Sequence, residues 1–478
     1  MNNSKSKPKR RLTLIITILG ILLLFLVIAA VWYVWRAIPI GTGYAAKYLC
    51  STTFISHREP HLVWEEEVKP INPLSAFIRW RVDMQDSSVT ASAFGRSSKA
   101  IHRRGCGCTL LSGVTETQLR NQTFFRRPDS VSMPELGRPW PKGDGAPVDP
   151  QSLGLDTALL DRAADYAFSE PSADRPRKTR ALLVVYDGKL ILERYASGYS
   201  ADTPILGWSM TKSLTNALVG ILVQKGELDI YERAPVPEWS DPADPRHPIT
   251  TDHLLRMSSG LAFQEVYQPL FDATKMLYRS SDFAAYAAQK PLKHPPDSVW
   301  SYSSGSANIV ARIVRLRAEG LYEPYYDFLN RELFHKIGMS SAVIEPDPSG
   351  TFVGSSYGFA TPRDWARFGL LYLQDGVWNG ERILSEGWVE YSTTPTPNNA
   401  PMGEYGAMFW LNAGAPGNPQ SRKWPDAPTD MFVAQGYMEQ RVMMIPSKHL
   451  IVVRFGATAD REAWDSNEFL KLLLPALP

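Results

Sequence analysis

Two hydrophobic patterns divide the chain. Residues 12–35 carry no charge, and their apolar side chains fall on every face of a helix rather than on one. At 1.5 Å per residue such a helix would span roughly 36 Å, enough to cross a bilayer with some tilt. Further along, the pattern becomes one-sided. Leu214, Ala217, Leu218, Ile221 and Leu222 recur at helical spacing between Gly207 and Gly226, with Gly226 as a stop. Residues 153–169 read as an amphipathic helix and residues 462–474 as a terminal one. Residues 181–195 form two apolar runs about an Asp187-Gly188 turn, a hairpin signal. Residues 440–445 and 450–455 flank Pro446-Ser-Lys-His449 as a second hairpin. Strands near both ends of this region, with helices between, predict one sheet closed by two distant parts of the chain.

The residues around the apolar run set the expected organisation. Lys5, Lys7, Lys9, Arg10 and Arg11 form a basic tail over 1–11, which would stay cytoplasmic. Residues 12–35 would be the anchor, with Trp32, Tyr33 and Trp35 at the far interface. A cleaved signal peptide is the competing reading, but its apolar stretch is normally shorter and no small-x-small site closes this one. Residues 36–125 read as a membrane-proximal module of unnamed fold, with strand-like stretches at 76–82 and 89–94. The Pro- and Gly-rich residues 126–150 read as a linker, and residues 151–478 as the main domain. A net charge of +2 gives no reason to expect nucleic acid as a partner. The three cysteines all follow the anchor, where the compartment would be oxidising. Cys50 can pair with Cys108 or with Cys106, leaving one thiol over. The histidines are scattered and show no His-Glu-x-x-His pattern, so no metal and no cofactor is expected.

Candidate chemistry sits at the start of the 207–226 helix. Ser209-Met-Thr-Lys212 places a hydroxyl and an amine one helical turn apart. A serine needs a base beside it to act as a nucleophile, and a lysine can serve when burial lowers its pKa. A helix N-terminus would favour negative charge developing at Ser209. Alone, this spacing fits equally a serine cap and a solvated lysine. A literal Gly354-Ser-Ser-Tyr-Gly358 also occurs, with Asp364, Asp375 and His449 after it in the order of an α/β-hydrolase. It lacks the buried strand that a nucleophile elbow needs.

Four segments together carry a resemblance. Trp208-Ser-Met-Thr-Lys-Ser213, Ile249-Thr-Thr-Asp-His-Leu-Leu-Arg-Met-Ser-Ser-Gly-Leu261, Trp300-Ser-Tyr-Ser-Ser-Gly305 and Phe359-Ala-Thr-Pro-Arg-Asp-Trp-Ala-Arg-Phe-Gly369 occur in that order. In them, residues 150–478 resemble the serine β-lactamase/penicillin-binding-protein superfamily, near class C-like esterases and 6-aminohexanoate-oligomer hydrolases. The resemblance implies an α+β fold, an αβα sandwich whose antiparallel sheet is flanked by helices, plus a helical subdomain. It implies an acyl-enzyme on Ser209, with Lys212 and Tyr302 sharing the proton work and Ser304 bonding to Lys212 or to substrate. The third family motif, Lys-Thr-Gly, is matched by Ala434-Gln435-Gly436, followed by Tyr437. The N–H groups of Tyr437 and Ser209 would then form the oxyanion hole. Loss of that lysine, and Ser304 in place of asparagine, turn the expectation from β-lactams toward another small-molecule or peptide-like ester or amide. The whole reads as a hydrolase of the bacterial inner membrane with its catalytic domain on the periplasmic side. A D,D-peptidase or β-lactamase and a catalytically inactive ligand-binding relative are the alternatives. Trp410 and Tyr405 are candidates for the acyl pocket, whereas His253, His294 and Asp364 read as structural.

Overall fold

The computed structural model describes residues 7–122, 137–397 and 403–478, and side chains from Leu12 onward. The chain opens with one helix, α1 (Lys7–Phe54), 48 residues long. Its side chains are exposed through Tyr33 and buried from Ile40 on, apart from a few positions. It is the one helix among the described residues long and apolar enough to cross a membrane. The boundary expected after residue 35 therefore falls inside a helix. Arg36 and Pro39 look like an ending, yet the helix runs on because Ala45, Ala46, Leu49 and Cys50 bury completely in the module. The side chains of the basic tail lie outside the described residues.

The module that follows is a four-stranded antiparallel meander, β1 (Arg79–Asp83), β2 (Ser88–Ala93), β3 (Arg96–Arg103) and β4 (Gly107–Leu110). Helix α1 lies across β2, β3 and β4. A Cys50–Cys108 disulfide joins the helix to β4, one of the two pairings the sequence left open. Cys106 is free and buried, and burial pushes its thiol up to about 12. Such a thiol carries almost no thiolate and is inert at neutral pH.

The main domain runs through α2 (Thr157–Phe168), β5 (Thr179–Tyr186), β6 (Lys189–Tyr195), α3 (Thr211–Gln224), α4 (Ser304–Ala318), α5 (Pro362–Leu373), β7 (Trp410–Leu411), β8 (Phe432–Gly436), β9 (Gln440–Ile445), β10 (Leu450–Gly456) and α6 (Ser466–Leu473). Its antiparallel sheet has the order β7-β8-β9-β10-β5-β6, so the two predicted hairpins meet along β10 and β5. Asp187 and Gly188 both take positive φ, the conformation a two-residue hairpin turn requires. Alternate residues of β5 face opposite ways: Leu183 and Val185 join one core, Leu182 and Val184 the other. Both faces are covered, which is why β5, β9 and β10 read as nearly unbroken apolar runs. Helices α2 and α6 cover one face and α5 the other. Beside this sandwich lies a helical half, in which α3 packs on α4. This is the α+β, αβα arrangement with a helical subdomain that the resemblance implied.

Residues 36–122 are not a separate body on a tether. Lys47 of α1 forms a buried ion pair with Glu345 of the main domain. Ser51 Oγ donates to Glu345 Oε1 at 2.9 Å, and the Cys108 N–H donates to the same oxygen at 2.6 Å. Glu67 of the module pairs with its own Arg58 and with Arg180 on β5, and accepts from the Tyr48 hydroxyl. The stretch read as a linker is also packed where it is described. Trp140 is buried, Pro141 and Gly143 carbonyls accept from Arg367 at 2.8 and 2.9 Å, and the Val148 N–H donates to Leu190 at 2.8 Å. Residues 126–136 of that stretch lie outside the described residues.

Glu67 makes this docking testable through pH. Burial pushes its carboxyl up, but Arg180, Arg58 and the Tyr48 hydroxyl outweigh burial and hold it down to about 2. A carboxyl lowered by folding adds stability above its unfolded pKa of about 4.3, lost as pH falls through the folded value. Glu67→Gln should therefore lower unfolding stability by ~3 kcal/mol at pH 7. The deficit should shrink as pH drops from 4.5 toward 2, as read from urea midpoints of the full chain in detergent.

Candidate active site

Ser209 is held where the sheet meets the helical half. It sits in a 3-10 turn (Trp208–Met210) that runs into α3, so the α-helix expected to open at Ser209 begins two residues later, at Thr211. Trp208 before it has φ +49°, in the left-handed region that a bulky residue enters only under constraint. The constraint is visible on both sides. Tyr48 of α1 stacks on the Trp208 ring at 5.8 Å, and Tyr437 meets its other surroundings edge-on at 5.7 Å. The Thr211 hydroxyl donates to the Trp208 carbonyl at 2.7 Å and accepts from the Gly358 N–H at 2.8 Å, locking the turn.

Lys212 lies behind Ser209, 1% exposed. Its Nζ donates to Ser209 Oγ at 3.2 Å, Ser304 Oγ at 3.1 Å and the Ser355 carbonyl at 3.0 Å. All three ammonium hydrogens are thus placed. The same Nζ stands 4.7 Å from the centre of the Tyr302 ring, a cation–π distance. Tyr302 packs against Trp410 and Tyr405 at 5.5 and 5.8 Å, and its hydroxyl holds no hydrogen bond to another described residue. Ser304 opens α4. Its hydroxyl accepts from Lys212 and donates to Glu265 Oε1 at 2.6 Å, while its N–H donates to Glu265 Oε2 at 2.8 Å. The Tyr267 hydroxyl donates to the same carboxylate at 2.8 Å. Ser209, Lys212, Tyr302 and Ser304 therefore come together. Glu265, Tyr267 and the Ser355 carbonyl belong with them and were not read from the sequence. Nothing in a Glu-x-Tyr on a loop far from Ser304 signals that contact, which only the fold creates.

The remaining expected residues line one wall. Ser209, Tyr302, Gln435, Gly436, Tyr437 and Trp410 all border a cavity of about 790 Å³. Gln435 Oε1 accepts from Arg441 at 2.6 Å. A glycine at 436 leaves room for a substrate lying against the strand backbone. The structure supplies a nearer reason: a Cβ there would stand 2.0 Å from the Gly207 carbonyl oxygen. The strand can approach the Ser209 turn only because residue 436 has no side chain. The motif's lysine position is Ala434, fully buried.

The competing elbow does not assemble. Ser356 borders the same cavity, but Asp364 is engaged by Arg367 and Ser341, and His449 is exposed at the β9–β10 turn. His253 caps a helix, its Nδ1 accepting from the Thr250 N–H at 3.1 Å. Among the described residues no three His, Cys, Asp or Glu side chains cluster as a metal site would.

Gly436→Ala should separate the strand from the Ser209 turn. Overpacking of this kind costs ~1–3 kcal/mol, which thermal or urea unfolding of the variant should register.

Comparison with known proteins fits this geometry. The Beta-lactamase family model matches residues 164–472. A 6-aminohexanoate-dimer hydrolase of Paenarthrobacter ureafaciens is 25% identical over 286 residues, which cover 54% of this chain and 72% of that protein. A penicillin-binding protein homologue of Caulobacter crescentus superposes with TM-score 0.51 at 15% identity, covering 69% of this chain and 97% of its own. A family VIII carboxylesterase superposes with TM-score 0.51 at 16% identity, covering 67% and 96%. The two superpositions speak for the fold alone. The family match takes in β5 through α6, the segments that hold Ser209, Lys212, Tyr302 and Gly436, and so the chain belongs to the Beta-lactamase family, within the serine β-lactamase-like superfamily.

Proposed function

We propose that the protein is a membrane-anchored serine hydrolase that cleaves an ester or amide through an acyl-enzyme on Ser209. The observation that carries this reading is the buried Lys212 ammonium, hydrogen-bonded at once to Ser209 Oγ and to Ser304 Oγ. A binding site alone has no need of a buried amine against a hydroxyl at the edge of a cavity. A relative named as a 6-aminohexanoate-dimer hydrolase agrees with it in reaction class.

In the proposed cycle, Ser209 Oγ attacks the substrate carbonyl as its proton passes to the unprotonated member of the Lys212–Tyr302 pair, the amine or the phenolate. The N–H groups of Ser209 and Tyr437 stabilise the oxyanion. The leaving alcohol or amine departs with the proton, and water then cleaves the acyl-enzyme by the reverse transfers. Ser304, fixed by Glu265, holds the Lys212 amine in register between these steps. Ala434 in the third motif leaves a β-lactam carboxylate without the lysine that family members place there, so the substrate is another ester or amide. Helix α1 supplies the anchor, and the Cys50–Cys108 disulfide fits a catalytic domain on the oxidising, extracytoplasmic side.

Intact-mass analysis after treatment with a fluorophosphonate, a short-chain p-nitrophenyl ester and a penicillin tests this. The expected result is one fluorophosphonate adduct, on Ser209, with ester turnover and no stable penicillin adduct. Ser209→Ala should abolish the adduct and lower turnover by ~10³-fold or more. Unchanged turnover in that variant would overturn the reading.

A further inference from the structure

The cavity at Ser209 is closed on one side by the anchor helix itself. Val34, Ile38, Gly41 and Tyr44 of α1 line it, as do Ile71 and Leu74 of the module, together with Ser209 and Tyr302 of the main domain. From Val34 to Tyr44 is ~15 Å along the helix axis. The Val34 end adjoins the aromatic residues Trp32, Tyr33 and Trp35, all exposed on α1. Two arginines sit at this level, Arg36 over the Trp32 ring at 5.4 Å and Arg96 over the Trp35 ring at 4.3 Å. Aromatic rings with cations beside them mark the headgroup level of a bilayer. Around the same opening, Ile71, Leu74 and Phe94 are 45%, 48% and 56% exposed although each lines the cavity. Phe77, 58% exposed, packs on Phe94 at 5.5 Å. Large apolar residues gathered at one exposed rim mark a surface meant for an apolar partner. The charged residues that border the cavity all belong to the main domain: Glu265, Lys423, Glu439 and Arg461. One cavity thus has an uncharged, largely apolar lining from α1 and the module, and takes all its charged lining from the main domain.

We infer that the substrate is an amphiphilic long-chain acyl ester or amide that enters from the bilayer, its acyl chain lying along α1 and its polar part facing Lys423 and Arg461. The inference rests on the proposed serine-hydrolase reading and names the substrate class of that site. In acylation the bond from Ser209 Oγ to the acyl carbonyl carbon forms, and the bond from that carbon to the headgroup oxygen or nitrogen breaks. The Ser209 proton leaves with the headgroup. Water then releases the fatty acid and restores the Ser209 hydroxyl.

The test compares p-nitrophenyl acetate and p-nitrophenyl dodecanoate on the full chain in detergent micelles, with Ile38→Trp and Leu74→Trp to fill the apolar wall. Leu74 is half exposed, so its replacement does not burden the core. A fluorophosphonate adduct on Ser209 verifies that each variant retains a formed site. The expected result is a kcat/KM for the dodecanoate at least tenfold above the acetate, and a fall of that ratio by tenfold or more in each variant. A ratio of one or below in the native chain, or a ratio the tryptophans leave unchanged, overturns the inference. Acetate turnover that depends on Ser209 but shows no chain-length preference overturns this inference and spares the hydrolase reading. Turnover unaffected by Ser209→Ala, or absent together with the adduct, overturns both.

Discussion

A buried ammonium group must be given acceptors, and Lys212 sets that requirement for the whole site. Taking it out of water without hydrogen bonds would cost several kcal/mol. Its three acceptors come from three parts of the chain: the turn before α3, the first residue of α4 and the loop that carries Ser355. The helical half cannot satisfy Lys212 unless α4 meets α3, and the sandwich cannot unless residues 345–357 are held. Glu345 at the head of that loop is tied to Lys47, Ser51 and the Cys108 N–H. The module of residues 36–122 thereby reaches the loop that carries the third acceptor of Lys212, through the buried Glu345 carboxylate and through Thr109 and Gln122, which donate to the Pro346 and Pro348 carbonyls.

A second constraint acts at the sheet edge. Strand β8 approaches the Ser209 turn so closely that only glycine fits at 436. The turn is also held by Tyr48 of α1, stacked on the Trp208 ring, and by Tyr437, which meets that ring edge-on, beside the left-handed backbone of Trp208. Ser209 is therefore positioned by the sheet, the helical half and α1 together. Residues 36–122 act as a third wall of the enzyme and not as a spacer.

How far this could be read from the sequence follows from the range of each interaction. The hairpins about Asp187-Gly188 and Pro446 were legible because turn chemistry and two-face burial are local. Ser209 and Lys212 were legible because one helical turn fixes their separation. Gly436 was legible as a motif position, but its cause, the Gly207 carbonyl, lies far away in the sequence. Glu265 was invisible, since a carboxylate that meets Ser304 only through the fold leaves no periodicity. The division at residue 35 misled for a physical reason: the change from uniform apolarity to Ala- and Gly-containing sequence marks a change of surroundings from lipid to protein. It does not mark the end of the helix, and Pro39 can be carried within one.

Continuity of that helix changes what the anchor does. From Trp35 to Tyr48 the backbone stays helical, so the Trp208 contact lies ~20 Å along the axis from the interfacial aromatic residues. A flexible tether would let the domain sample many heights and orientations above the bilayer. Here the same continuous helix that carries the membrane-length apolar segment stacks through Tyr48 on Trp208, and the disulfide at Cys50, two residues further on, fastens it to the module. Height and orientation of Ser209 are then properties of helix geometry. The opening of the cavity is correspondingly fixed toward one side, where exposed Ile71, Leu74 and Phe94 would face lipid in place of water. Their burial in the headgroup region would help hold the domain against the surface, so that the feature which feeds the site would also stabilise its placement.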